Sequence, residues 1–155
     1  MIILSLDPGS EKTAWCIFDV HNQIPLHWGL ESNHDVLDKI VKNSFPAKYD
    51  RLVVEMIQSF GMPVGQTVFI TCVWIGRFIQ AWNSPNYTFI YRNEEKMAIC
   101  QSMKANDATI KQALKDIYGN PGTKKNPGKL FGISKDMWSA LAVAVTFARM
   151  YGGMQ

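Results

Sequence analysis

The amino-acid sequence predicts an α/β fold in three layers, a five-stranded mixed sheet with helices on both faces. Three observations lead there. Three strand-like runs follow one another at the start of the chain, before any helical pattern. Strand-like and helical segments alternate after them, the pattern of helices packed over a sheet. One later run, Asp50–Ile57 (DRLVVEMI), is apolar between charged ends, as suits a central parallel strand buried on both faces.

The elements follow in order. Ile2–Leu6 is short, apolar and rich in β-branched residues, and Asp7-Pro8-Gly9 closes it, so it reads as a buried strand ending in a turn. Thr13–Asp19 (TAWCIFD) is a second strand, and His21-Asn22 turn the chain back into a third at Ile24–Leu30, an antiparallel meander. A helix starts at Asn33 or His34, with Val36, Leu37, Ile40 and Val41 along one stripe. After the Asp50–Ile57 strand comes a long helix over Gly65–Trp82, apolar nearly all round and therefore predicted to be mostly buried. Pro85 stops it, and Tyr87–Tyr91 (YTFIY) is the fifth strand. A short helix near Glu94–Ser102 precedes a better-marked one, with Asn106 or Asp107 as N-cap and Gly119 as C-cap. Residues 119–132 (GNPGTKKNPGKLFG) form a glycine- and proline-rich loop carrying three lysines. The last helix is predicted from Ser134 to about Tyr151, ended by Gly152-Gly153.

Length and composition bound the class. A chain of 155 residues, 47% hydrophobic and 19% charged, suits one domain spanning residues 1–155 and excludes disorder. Folding at this size hides roughly two-thirds of the unfolded surface, so the core needs no staples. Cys16, Cys72 and Cys100 are odd in number and widely spaced, with no CxxC pair. That speaks against a disulfide framework or a zinc knuckle and suits a reducing cytoplasm. The opening MIILSLD has no basic region and reaches Asp7 after six residues, so no signal peptide is expected. The most apolar stretch, Val68–Gly76, is about half of what a membrane crossing needs, so no membrane partner is expected. The net charge of +3 is uneven: residues 1–91 hold six Lys/Arg against eight Asp/Glu, and residues 92–155 hold ten against five. A basic half beside an acidic one points to a polyanion on one face, or to no more than a solvated surface.

Three carboxylates stand in unusual places. Asp7 follows LSL at the end of the first strand, Glu55 sits among apolar neighbours in VVEM, and Asp136 lies in the first turn of an otherwise apolar helix. Each has a plain structural explanation in an Asx turn, a tolerated strand position or a helix dipole. Glu55 is the hardest to explain that way, because an ionised group inside an apolar strand needs a charge or metal to answer it. Several converging carboxylates suit a hard divalent cation such as Mg²⁺. Two such ions about 4 Å apart can activate a water and stabilise the leaving oxygen of a phosphodiester.

LSLDPGSEKTAWCIFD, LVVEMI and ISKDMWSALAVAV together resemble the three signature segments of RuvC-type Holliday-junction resolvases, in the RNase H-like superfamily. The resemblance is closest to the compact versions in phage genomes and spans nearly the whole chain, including the intervening GxxxG-containing helix and DATIKQALKDIYG. It implies a five-stranded RNase H-like sheet with strands one and four side by side, so that Asp7 and Glu55 meet and the last helix delivers Asp136. It also implies homodimers that cut four-way DNA junctions in paired nicks with Mg²⁺ or Mn²⁺, leaving 5′-phosphate and 3′-hydroxyl ends. Asp7, Glu55 and Asp136 match the family's metal ligands, with two ions expected per site. One position departs: bacterial members carry a second Asp three residues on in the last helix, where this chain has Ser139. Residues three apart share a helix face, so Ser139 would reach the site with a hydroxyl or a water and no charge. Asp107 is a substitute carboxylate or a helix cap.

For DNA, Lys124, Lys125 and Lys129 lie just before the last helix, Lys104 and Lys111 flank the start of the preceding one, and Lys135 adjoins Asp136. Lysines on glycine-rich backbone suit phosphate contacts that position DNA without reading it. Phe60, in QSFGMP after Glu55, is an apolar wedge between bases or a contact between subunits. The helix carrying Phe69, Val73, Gly76 and Phe78 would be core in a monomer and interface in a two-fold dimer. The leading expectation is a dimeric, metal-dependent junction endonuclease. A fork or flap nuclease of the same fold and a junction-binding protein with weak cleavage are the alternatives. An actin-like ATP-binding module would need a second, similar half, and the sequence has no internal repeat.

Overall fold

The computed structural model describes residues 1–153. Strand β1 (Ile2–Pro8) pairs antiparallel with β2 (Lys12–Asp19), and β2 pairs antiparallel with β3 (Ile24–Ser32). On its other side β1 pairs in parallel with β4 (Arg51–Met56), which pairs in parallel with β5 (Tyr87–Tyr91). The sheet order is β3-β2-β1-β4-β5, so strands one and four are neighbours as the resemblance implies.

Alternation along the strands sends their side chains to two separate cores. Ile3, Val53 and Ile90 pack with α5 (Met137–Tyr151), α3 (Arg92–Cys100) and α4 (Asp107–Tyr118). Leu4, Leu6, Leu52 and Val54 pack with α1 (Asn33–Lys42) and α2 (Gln66–Trp82). The three layers are those expected.

Local chemistry sets the turns and ends. Gly9 N–H donates to Lys12 O at 2.9 Å, and a Cβ on Gly9 would stand 2.7 Å from that oxygen, so the turn after Asp7 admits only glycine. Asn33 ties this turn down: its Nδ2 donates to Gly9 O at 2.9 Å and its Oδ1 accepts from Thr13 Oγ1 at 2.6 Å. Ser32 caps α1 by accepting from Asp35 N, and Asn106 caps α4 by accepting from Thr109 N.

Several expectations need correction. α5 begins at Met137 and not at Ser134, because Lys135 has φ +49° and a left-handed residue cannot continue a right-handed helix. Asp136 is therefore the N-cap residue and not a member of the first turn. α3 leaves β5 directly at Arg92, two residues before the predicted start, with Glu94 Oε2 accepting from Tyr91 N at 2.7 Å. The 119–132 loop contains a small hairpin, β6 (Gly122–Thr123) with β7 (Asn126–Pro127). The largest difference is α2. Only Thr71, Trp74, Ile75 and Phe78 are buried, while Phe69 and Val73 are 61% and 63% exposed, because α2 lies on the outside of its layer and among the described residues no element covers its outer face. Cys16, Cys72 and Cys100 are free thiols. Among the described residues no helix is long and apolar enough to cross a membrane.

Candidate active site

The site follows from strand parity. Ile3, Ser5 and Asp7 alternate onto the α5 side of β1, and Val53 and Glu55 onto the same side of β4. The β1–β4 register pairs Leu6 with Val54, so the next residues, Asp7 and Glu55, emerge side by side at the carboxyl ends of adjacent parallel strands. Open α/β sheets commonly bind ligands beyond such strand ends. Glu55 is the fifth residue of a six-residue strand and is half-buried, so it sits at the rim of the apolar run and not inside it.

The electrostatics report a crowd of like charges. Burial first, then the charge of Glu55, a hydrogen bond shared with Glu55, and the charges of Asp136 and Glu95 hold the Asp7 carboxyl well above the usual range. Glu95 was not anticipated. It lies on the first turn of α3 with no exposed surface, and burial together with Glu55 pushes its carboxyl up to about 8 against the lowering pull of Arg92. The charges of Glu55 on β4, Asp136 at the start of α5 and Glu95 on α3 thus all act on Asp7 of β1.

Asp136 owes its placement to two local features. The left-handed Lys135 swings the chain into α5, at a cost of about 1–3 kcal/mol for a non-glycine residue. The Asp136 carboxylate makes no capping bond to the helix it starts, which leaves it free to face outward ligands. Ser5 locks this helix to β1: its Oγ lies 2.8 Å from Ala140 O and 3.1 Å from Cys16 O, where it donates its single proton.

At Asp136 opens a cleft of about 130 Å³, whose lining includes none of Asp7, Glu55 and Glu95. Asp136 and Ser139 line it together, as their spacing predicts, with Lys111, Lys135, Arg92 and Asp107 around them. Lys111 Nζ rests 5.4 Å from the centre of the Trp138 ring. Asp107 does not cap α4, which Asn106 does; it pairs instead with Arg92, whose other nitrogen holds Glu95. Lys104 is exposed in the α3–α4 connection and does not line the cleft. Lys124 and Lys125 form the exposed tip of the β6–β7 hairpin and Lys129 follows it, all outside the cleft lining. Phe60 is 67% exposed in the β4–α2 loop, two residues before the still more exposed Met62.

Sequence reasoning passed over Arg92 and Glu95 because RNEEK reads as a solvated helix start. The missed signal is spacing: Glu95 and Ile99 are four apart, so a helix that buries Ile99 turns Glu95 inward too.

The donor set is all oxygen, which suits a hard divalent cation. Among the described residues no group of three or more His, Cys, Asp or Glu is already arranged to hold a metal ion. Mg²⁺ asks for less, since it binds through one or two carboxylates and keeps several waters. The fit is carried by an orphaned atom: Glu95 Oε1 is buried beside the acidic cluster without a hydrogen-bond partner.

No protein-family model matches the sequence, and comparison with curated proteins finds no match. Solved structures do match. RuvC of Thermus thermophilus superposes with a TM-score of 0.73 at 16% identity, over 99% of this chain and 96% of that one. T. thermophilus RuvC in complex with a Holliday junction substrate superposes with a TM-score of 0.71 at 15% identity, over 97% and 96%. At such identities a likeness across both whole chains speaks for architecture: the chain has the α/β fold of T. thermophilus RuvC.

Proposed function

We propose that the protein is a homodimeric, metal-dependent endonuclease that resolves four-way DNA junctions by paired phosphodiester hydrolysis, leaving 5′-phosphate and 3′-hydroxyl ends. What supports this reading is that Asp7 and Glu55 stand side by side at the carboxyl ends of β1 and β4 with the charge of Asp136 acting on Asp7, in a chain with the RuvC fold. A solved RuvC with that fold holds a Holliday junction.

Asp7, Glu55 and Asp136 are the residues that would hold Mg²⁺ or Mn²⁺, two ions per site, with Ser139 reaching in through a water. Bound there, the metal supplies Lewis-acid stabilisation of the phosphoryl oxygens and an acidified water. The chain's own residues do the rest. Lys111 and Lys135 line the cleft beside Asp136 and offset the charge of the scissile phosphate. Lys104, Lys124, Lys125 and Lys129 stand exposed, where backbone phosphates would reach them. The open apolar face of α2, with Phe69, Ile70 and Val73, is the surface for the second subunit, whose two-fold symmetry matches two symmetric cuts. Phe60 extends from the loop after Glu55 as a wedge at the junction centre or a contact to that subunit. Such an enzyme works in the cytoplasm of a bacterium or of its phage-infected host.

The test is a gel assay on a four-way junction with labelled arms, against linear duplex, forks and flaps, in Mg²⁺, Mn²⁺ or EDTA. Metal-dependent, symmetrically paired nicks on the junction alone are the expected result. Equal cutting of forks and flaps replaces resolution with general debranching. Tight binding without cutting in either metal makes the protein a binder, with Ser139 in place of a carboxylate as the reason.

A further inference from the structure

We propose that Glu95 is a further carboxylate of the metal centre, offering its free Oε1 to a divalent cation held by Asp7 and Glu55 while Arg92 keeps Oε2. This rests on the nuclease reading above and deepens its site. Glu95 is fully buried in the α5-side core, on the same face of α3 as Ile99. Arg92 Nη1 donates to its Oε2, and Oε1 receives nothing. Among the described residues two other buried side-chain atoms lack partners, the hydroxyls of Tyr49 and Thr146, so Glu95 Oε1 is the one carboxylate oxygen left so.

An unpaired, buried carboxylate oxygen is among the costliest groups a fold can hold. Arg92 answers it only in part, since the same guanidinium also holds Asp107. The other charges facing Glu95 share its sign. Glu55 comes from β4, Asp7 from β1, and Glu94 from its own helix. As they stand, Asp7, Glu55 and Glu95 form no three-carboxylate group arranged for a metal; a cation held by Asp7 and Glu55 would draw Glu95 Oε1 in as a further oxygen donor, with water completing the shell. A role confined to anchoring Arg92 uses one oxygen of Glu95 and leaves the other without a reason.

Manganese titration calorimetry on the whole protein without DNA tests this, comparing the parent with Glu95→Gln, Asp7→Asn, and Glu95→Gln combined with Ser139→Asp. Gln keeps the shape and can still accept from Arg92. Glu95→Gln should weaken Mn²⁺ binding on the order of 10–100-fold. Asp7→Asn should abolish it, and Ser139→Asp, beside Asp136 in the cleft, should recover part of the loss. Unchanged affinity in Glu95→Gln beside a loss in Asp7→Asn would overturn the role of Glu95 and leave the nuclease site standing. Unchanged affinity in both would overturn the metal centre itself. Melting in EDTA separates folding from binding. Glu95→Gln should melt at or above the parent, since Gln is uncharged without having to take up a proton on burial, whereas a much lower melt would make Glu95 a structural anchor for Arg92 and overturn the proposal.

Discussion

Helices α2 and α5 are both strongly apolar, and the fold treats them in opposite ways. Ten of the fifteen residues of α5 are buried, against four of the seventeen of α2. α5 crosses the middle of the sheet, touching β1 to β5, and is flanked by α3 and α4. Its alanines at 140, 142, 144 and 148 let it lie close to the strands. α2 contacts α1, β4 and β1 with one side and leaves Phe69 and Val73 open on the other. Apolar sequence therefore signals that a surface is meant to be covered. Whether the chain's own elements or another molecule covers it depends on what stands opposite.

The comparison yields graded tests. The largest effect is expected where the α5 side carries chemistry. Glu55→Gln should lower cleavage by about 10³-fold, near 4 kcal/mol of barrier. Junction binding should hold, because the lysines are untouched, and cleavage at the parent rate would remove Glu55 from the mechanism. Next, Leu141→Ala in α5 should cost about 2–5 kcal/mol in urea unfolding. Phe69→Ala in α2 should stay within about 0.5 kcal/mol for the monomer while weakening self-association in sedimentation. Equal costs at the two positions would erase the distinction between the helices.

A pH series sharpens the contrast further. The folded Glu95 carboxyl is raised to about 8 from its ordinary 4.5, so the folded protein keeps a proton that the unfolded chain has released. This contribution is present in full below about 4.5 and is lost as pH rises through about 8; Asp7 acts in the same direction. Urea melts in EDTA should show stability falling between those limits, and Glu95→Gln should flatten the slope. The smallest effect is expected at Lys135. Lys135→Gly relieves a left-handed residue but gives the unfolded chain more freedom, and the two largely offset, so the net stability should change by less than about 1 kcal/mol and rise if it moves. Junction affinity should fall modestly, with a shallower salt dependence; an unchanged salt slope would take Lys135 out of phosphate contact.

Much of the site was legible because it is written in short-range patterns. Alternation in LSLD and VVEM puts Asp7 and Glu55 on the inner side of their strands, and the three-residue step from Asp136 to Ser139 places both on one cleft. The start of α5 was misread because nothing in ISKD marks Lys135 as left-handed. Glu95 was missed because a glutamate pair beside an arginine looks the same whether a helix lies in water or against a core.

By itself the sequence determined the five strands of the main sheet, the five helices and the turn at Gly9, since these depend on neighbours a few residues away. Tertiary structure alone decided that β1 pairs with β4 in the register that sets Asp7 beside Glu55. It also decided that α3 docks on α5 and seals Glu95 inside, and that α2 keeps its outer face open. Local periodicity specifies which face of an element seeks cover, whereas the partner that covers it is chosen by the packing of the whole chain.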